Sequence, residues 1–173
     1  MNNRKTYKLS LYSLLLALSL ILSFFENAFF PSILPLPGVK AGLANVVTLF
    51  SLYTISPLAT FSILIVRSVV SSIFGGGVTA LVFSISGGTL AFLSMLFLKR
   101  FKAFSIYGVS MLGAALHSIG QIIASSLLFF SLSIFMYLPI MLLASVVTGL
   151  LTAFIAQFII TRTDMYKNKN LRL

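Results

Sequence analysis

The chain alternates between long runs of apolar residues and short segments that carry proline, glycine or charge. The runs are continuously apolar, without the alternation of apolar and polar residues that membrane strands have, so they predict helices. About 20 residues are needed for one helical crossing of a bilayer. On this basis the pattern predicts six transmembrane helices, at 9–25, 41–55, 58–73, 78–98, 106–130 and 136–160.

Proline and glycine set several of these predicted limits. Ser56 and Pro57 separate the second helix from the third, and the glycines at 75–77 are predicted to end the third. Pro139 falls in the first turn of the sixth helix, where proline is tolerated because the first amides lack helical partners anyway. The pattern therefore favours one all-α bundle without an internal repeat.

Composition supports an integral membrane protein. Of the 173 residues, 59% are hydrophobic and 8% are charged, whereas soluble domains are about a quarter charged. We interpret the whole chain, 1–173, as one transmembrane domain. It comprises a basic cytoplasmic N-terminus (1–8), a six-helix bundle (9–160) and a basic cytoplasmic tail (161–173). Since the chain has no cysteine, disulfides and thiolate metal sites are excluded.

The basic residues predict the orientation. Ten of the twelve form three clusters, before the first helix, after the fourth and after the sixth: Arg4, Lys5, Lys8; Lys99, Arg100, Lys102; Arg162, Lys167, Lys169, Arg172. Six spans with both termini in the cytoplasm (N-in, C-in) place every cluster inside, as the positive-inside rule expects. We therefore interpret the net charge of +10 as a signal that orients the protein in the membrane, and no nucleic-acid partner is predicted. The first apolar run is interpreted as a retained helix and not a cleaved signal peptide.

The remaining charges mark a candidate site. Ionisable groups inside a membrane are costly, and they indicate function by default. Together with nearby amide and imidazole groups they are predicted to face a pocket in the outer half of the bundle, with these ligand-binding candidates: Glu26, Lys40, Asn45, Arg67, His117 and Gln121. A structural alternative stays open, in which Arg67 pairs with Glu26 to lock two helices and Lys40 reaches the lipid headgroups.

The spacing of His117 and Gln121 places them on one face of the fifth helix. One histidine without cysteine falls short of a metal ligand set, so no metal or cofactor is predicted. Lys40 and the start of the second helix would together favour an anionic group of a ligand, with Arg67 as a second contact. Glu26 could equally select an amine or hydroxyl group, or only neutralise Arg67, so this alternative stays open.

Small residues recur every four positions on the sixth helix and more weakly on the first, at Ser145, Gly149, Ala153, Ser13 and Ala17. Such spacing lets helices approach closely. Two interpretations stay open: packing inside the bundle, or docking of another membrane protein.

Several stretches resemble a bacterial family, the Gx transporter family, also labelled heptaprenyl diphosphate synthase component I. They are PGVKAGLANVV at 37–47, SISGG at 84–88 and HSIGQ at 117–121, with Glu26 and Arg67 in matching places. Usual members read HNIGQ, so Ser118 is a departure. The family is similar in size and span pattern to the substrate-binding S components of energy-coupling-factor transporters. The resemblance implies such a fold in the bacterial cytoplasmic membrane, a small-molecule ligand taken from outside, and a transmembrane coupling protein with ATPases as partners.

Two functions are weighed. The first is the substrate-binding membrane subunit of a micronutrient uptake transporter, which would need an energising partner because the chain has no P-loop motif. The second is a non-catalytic membrane anchor of a prenyl diphosphate synthase, with an isoprenoid or quinone-related ligand. Asp164 is the chain's only aspartate, so clustered magnesium ligands for prenyl transfer are missing and an enzyme is not predicted. An enzyme based on His117 and a scaffold without ligand rank lower.

Overall fold

The computed structural model describes residues 3–29 and 42–170, in which six α-helices follow one another. They are α1 (Asn3–Phe29), α2 (Asn45–Thr54), α3 (Pro57–Ser71), α4 (Gly77–Leu98), α5 (Ile106–Phe129) and α6 (Leu138–Asn170). The prediction of an all-helical chain is confirmed for these residues. Both α1 and α6 extend beyond their predicted limits, and α6 continues well into the segment predicted as a tail.

Five of the six helices are long and apolar enough to cross a bilayer, which makes the chain a multi-pass membrane protein. The exception is α2. With 10 residues it is about 15 Å long, half of the roughly 30 Å of a hydrocarbon core. The second helix, predicted at 41–55, is thus present, but within the described residues it begins only at Asn45.

The turns between helices follow local chemistry. The Ser56 side chain accepts a hydrogen bond from the Ala59 amide, and Pro57 occupies the first turn of α3, as an N-cap with proline requires. Between α3 and α4 the chain forms one π-helical turn, Ser72–Gly76. Gly77 then adopts a φ of +68°, which glycine permits. The predicted break at the glycines is thus a tight turn, with helical residues directly on both sides of it.

The short helix α2 runs from the middle of the bundle to one end. The turn before it lies beside His117, which is halfway along α5. Near its other end, the carbonyl of Leu52 accepts a hydrogen bond of 2.6 Å from Lys99 Nζ, just after α4. We call this the Lys99 end of the bundle. The opposite end, where α1 finishes beyond Glu26, is the Glu26 end.

Toward the Lys99 end the helices enclose an apolar core. Its buried members come from five helices: Leu49, Leu52, Leu64, Ala91, Phe92, Met95, Val109, Ala153 and Ala156. Small residues bring α5 and α6 together here. The Ser110 hydroxyl donates to the Gly149 carbonyl at 2.7 Å, and a Cβ atom built on Gly149 would lie 2.8 Å from Met111 Cα. The core therefore depends on direct backbone contact between these two helices.

Candidate functional site

The carboxylate of Glu26 lies at the start of α2. It accepts hydrogen bonds from the amides of Leu43, at 2.7 Å, and Ala44, at 3.4 Å. The first amides of a helix have no partner within it, and they carry partial positive charge. Because α2 begins beside His117, halfway along α5, these amides are within reach of side chains from other helices. Glu26, itself only 2% exposed, is thus an N-terminal cap supplied by another helix.

The turn before α2 completes this cap. The Gly42 carbonyl accepts from the Asn45 amide at 2.9 Å, and the next two amides bond to the carbonyls of Leu43 and Ala44. Gly42 has a φ of +83°, a conformation that side chains other than glycine rarely tolerate. A glycine is therefore needed at this position for the helix to start where it does.

Arg67 introduces the opposite charge from α3. Its side chain is buried, and it interacts electrostatically with Glu26. Close by, Asn27 Nδ2 donates to Ser71 Oγ at 3.3 Å, which joins the same two helices. A buried cation is costly unless an anion compensates it. The structure thus agrees with the predicted interaction of Arg67 with Glu26, and it adds the capping role that the sequence did not reveal.

A second group of side chains lies on the other side of the α2 start. A Cβ atom built on Gly42 would be 2.9 Å from Asn45 Nδ2 and 3.8 Å from His117 Cδ2. One built on Gly87 would be 3.2 Å from His117 Cε1 and 2.9 Å from Gln121 Cγ. The His117 ring therefore lies between the two glycines, with the Asn45 amide on one side and Gln121 on the other.

The stretches SISGG and HSIGQ contact each other directly. A Cβ atom on Gly120 would lie 2.9 Å from Gly87 Cα, and one on Gly87 would lie 2.8 Å from the His117 carbonyl oxygen. These distances leave no room for a methyl group, so α4 and α5 touch through their backbones. This contact fixes the position of His117 and Gln121 along the bundle axis, where both face the start of α2.

The Asn45 and Gln121 amides are buried, at 2% and 0% exposure. Within the described residues, neither the nitrogen nor the oxygen of either amide has a hydrogen-bond partner. Buried polar groups in folded proteins are nearly always paired, and an unmade bond costs about 1–3 kcal/mol. Two complete amides without partners in one small region therefore indicate a site that another molecule completes.

Five of the six predicted ligand-binding residues thus gather around the start of α2: Glu26, Asn45, Arg67, His117 and Gln121. Lys40 lies outside the described residues. The cluster surrounds a helix that begins halfway along α4 and α5, and its place in the outer half of the membrane stays a prediction.

The predicted docking positions separate into two groups. Ser145, Gly149 and Ala153 are buried, and Gly149 packs on α5, while their docking role stays a prediction. Ser13 and Ala17 are exposed on α1, and their docking role stays a prediction.

The sequence predicts that the second helix starts near Gly42, and the described helix begins three residues later, at Asn45. Sequence reasoning missed Lys99 as a part of this arrangement. Lys99 was counted as a topological charge. It donates to the end of α2 and lies 4.8 Å from the centre of the Tyr53 ring. Burial at this place lowers the pKa of Lys99.

The groups at the site are polar or charged side chains. Within the described residues no three histidine, aspartate or glutamate side chains lie close enough to hold a metal ion together. The groups present are a compensated charge pair, an imidazole and two carboxamides. They can orient a small molecule by hydrogen bonds inside an apolar bundle.

Comparison with known protein families gives a match over most of the chain. Residues 15–159 match the model of a family described as heptaprenyl diphosphate synthase component I. No curated protein and no solved structure matches the chain. The matched region runs from α1 to α6 and includes every described residue of the candidate site.

Proposed function

The chain belongs to the heptaprenyl diphosphate synthase component I family, and we propose that it is the substrate-binding membrane subunit of a small-molecule uptake transporter. The observation that carries this proposal is the pair of buried amides without partners, at the start of a half-length helix inside the bundle. Broken or half-length helices that start near the membrane middle are a recurring way to build transporter sites. A purely structural bundle gains nothing from leaving such groups unpaired.

The ligand enters from the Glu26 end, which faces the outside. This orientation places the basic residues around α1, α4 and α6 at the Lys99 end in the cytoplasm, as the positive-inside rule requires. Since the sequence has no P-loop, release into the cell is driven by separate ATPases through a transmembrane coupling protein. Ser13 and Ala17, exposed on α1, are the proposed contact for that partner.

The family description favours a second candidate, a membrane anchor of a prenyl diphosphate synthase. In that function the chain has no catalytic role, because prenyl transfer needs several carboxylates around magnesium. The whole sequence has two acidic residues, and Glu26 caps α2. The anchor function leaves the unpaired amides without a purpose, so we rank it second.

The experiment that separates these candidates is affinity purification of the tagged full chain from native membranes. Co-purified proteins are identified by mass spectrometry, and the bound small molecules are extracted and quantified. The transporter predicts an ATPase pair with a membrane coupling protein, and one metabolite in stoichiometric amount. Recovery of a soluble prenyl synthase, with no metabolite above the level of a mock purification, would contradict the transporter and support the anchor.

A variant control makes the metabolite result specific. The double variant Glu26→Gln/Arg67→Met removes the buried charge pair without leaving one charge alone. Gln157→Leu removes a half-buried amide toward the Lys99 end of α6, where Gln157 Nε2 donates to Thr161 Oγ1. A ligand of the proposed site is reduced in the double variant and retained in Gln157→Leu. A metabolite retained equally in both is bound elsewhere.

A further inference from the structure

We propose that the part of the ligand held between α2 and α5 is a neutral group with both hydrogen-bond donors and acceptors, such as a carboxamide, lactam or urea. This inference rests on the proposed function and specifies the ligand class of the same site. It differs from the anionic group that the sequence alone favours. Three observations carry it. Glu26 already accepts hydrogen bonds from the first amides of α2, the charge of Arg67 is compensated by the same Glu26, and the two unpaired side chains are neutral amides.

The start of α2 is already occupied by an anion. The Leu43 and Ala44 amides donate to the two oxygens of Glu26. An anionic ligand would have to displace this carboxylate, which is covalently part of the protein and buried. Arg67 in turn interacts with the same Glu26. The charges that would attract an anion on the described side of the site are therefore already compensated.

What remains without a partner is neutral. Asn45 and Gln121 each present one amide nitrogen with two donors and one oxygen that only accepts. A carboxylate or phosphate satisfies the nitrogens and leaves both oxygens unpaired. An ammonium group satisfies the oxygens and leaves both nitrogens unpaired. Only a group with donors and acceptors side by side completes both amides, whichever way each amide is turned.

The site is closed in this conformation, since Gln121 is fully buried. The ligand reaches the amides when the turn before α2 moves away from α5. Gly42 is the residue at which this turn lies against Asn45 and the His117 ring. Water then enters with the ligand or is replaced by it, and closure buries the neutral group beside the imidazole.

Three probes with one ring and different polar groups test the inference: benzamide (neutral), benzoate (anion) and benzylamine (cation). The full-length protein is reconstituted in lipid nanodiscs, and binding is measured by saturation-transfer NMR over a concentration series. The comparison uses the wild type, Gln121→Leu and the control Gln157→Leu. We expect saturable binding of benzamide, weakened about 10-fold or more by Gln121→Leu and unchanged by Gln157→Leu. The other probes should be insensitive to Gln121→Leu.

The inference is overturned if benzamide does not bind, or if its binding is the same in Gln121→Leu as in the wild type. It is also overturned if Gln121→Leu weakens benzoate or benzylamine instead. The proposed function is judged separately by the metabolite that co-purifies from membranes. A stoichiometric anionic metabolite there, with no benzamide binding here, would retain the function and reject this ligand class.

The melting temperature of the ligand-free protein shows whether Gln121→Leu disturbs the fold. Leucine is close to glutamine in size and removes the unpaired polar atoms, so Gln121→Leu should melt at the same temperature as the wild type or higher. A clearly lower melting temperature would mean that the Gln121 amide has a structural partner, and it would overturn the proposal.

Discussion

The residues of α2 toward the Lys99 end and those toward the Glu26 end have different neighbours. Leu49 and Leu52 are fully buried in the apolar core. Asn45 and Thr48 are equally buried, but Asn45 lies beside the polar site around Glu26, Arg67, His117 and Gln121. We call the two parts of the bundle the apolar half and the polar half.

The difference shows how one small bundle can combine stability with binding. In the apolar half buried apolar side chains from five helices pack together, and Lys99 bonds to the end of α2; within the described residues one buried hydroxyl there, that of Ser51, has no hydrogen-bond partner. In the polar half the charges are compensated while the amides are not. Packing that does not depend on the ligand can thus stabilise the fold and leave the polar half free to rearrange.

The largest effect is expected from breaking the charge pair in the polar half. Arg67→Met leaves the buried Glu26 carboxylate without its cation, and this should cost about 3–5 kcal/mol of folding free energy. The double variant Glu26→Gln/Arg67→Met should recover much of that loss. Thermal unfolding in a mild detergent measures both. Equal stability of the single and double variants would mean that the two charges do not act as a pair.

Adding one methyl group at a close glycine contact tests the packing in each half. A Cβ atom on Gly149, in the apolar half, or on Gly87, in the polar half, would meet backbone atoms at 2.8 Å. Each alanine variant should therefore lose about 1–3 kcal/mol of stability. Only Gly87→Ala should also impair ligand retention, because it displaces His117 and Gln121.

Gly108→Ala is the control, since its Cβ would be 3.5 Å from the nearest atom. It should be neutral, or stabilise the helix by up to about 1 kcal/mol. If Gly149→Ala impairs ligand retention as strongly as Gly87→Ala at equal stability, the division into two halves is wrong.

The smallest effect concerns the end of α2. Lys99→Met removes the hydrogen bond to the Leu52 carbonyl, which should cost about 1 kcal/mol. Lys102→Met removes an exposed charge from the same cluster and should cost nothing measurable. The melting temperatures of both variants, compared in the same detergent, check this. An equal effect of the two substitutions would mean that Lys99 acts only as a surface charge.

Much of this architecture can be predicted from local sequence. Continuous apolar runs predict the long helices because each run satisfies its own backbone groups in lipid. The rarity of charges inside those runs identifies Glu26 and Arg67. The four-residue spacing of His117 and Gln121 places them on one helix face. Each of these conclusions depends only on residues that are close together in the sequence.

The half-length of α2 could not be predicted in this way. The run at 41–55 is apolar throughout most of its length; Gly42 signals a helix start nearby, but the run does not show that this start lies inside the bundle. The start is set by Glu26, which reaches Leu43 and Ala44 from another helix. The role of Gly149 could not be predicted for a similar reason. A pattern of small residues predicts a close helix contact, but it does not identify the partner helix.

The most direct test of the central claim compares water access to the two halves. The chain has no cysteine, so single cysteines can be introduced at two buried serines of α5. Ser125 lies one turn beyond Gln121 in the polar half, and Ser110 faces Gly149 in the apolar half. Intact cells are treated with a membrane-impermeant, positively charged methanethiosulfonate reagent. We predict that Ser125→Cys reacts and Ser110→Cys does not. A protected Ser125→Cys, or equal reaction at both positions, would contradict a ligand site that opens toward the outside of the cell.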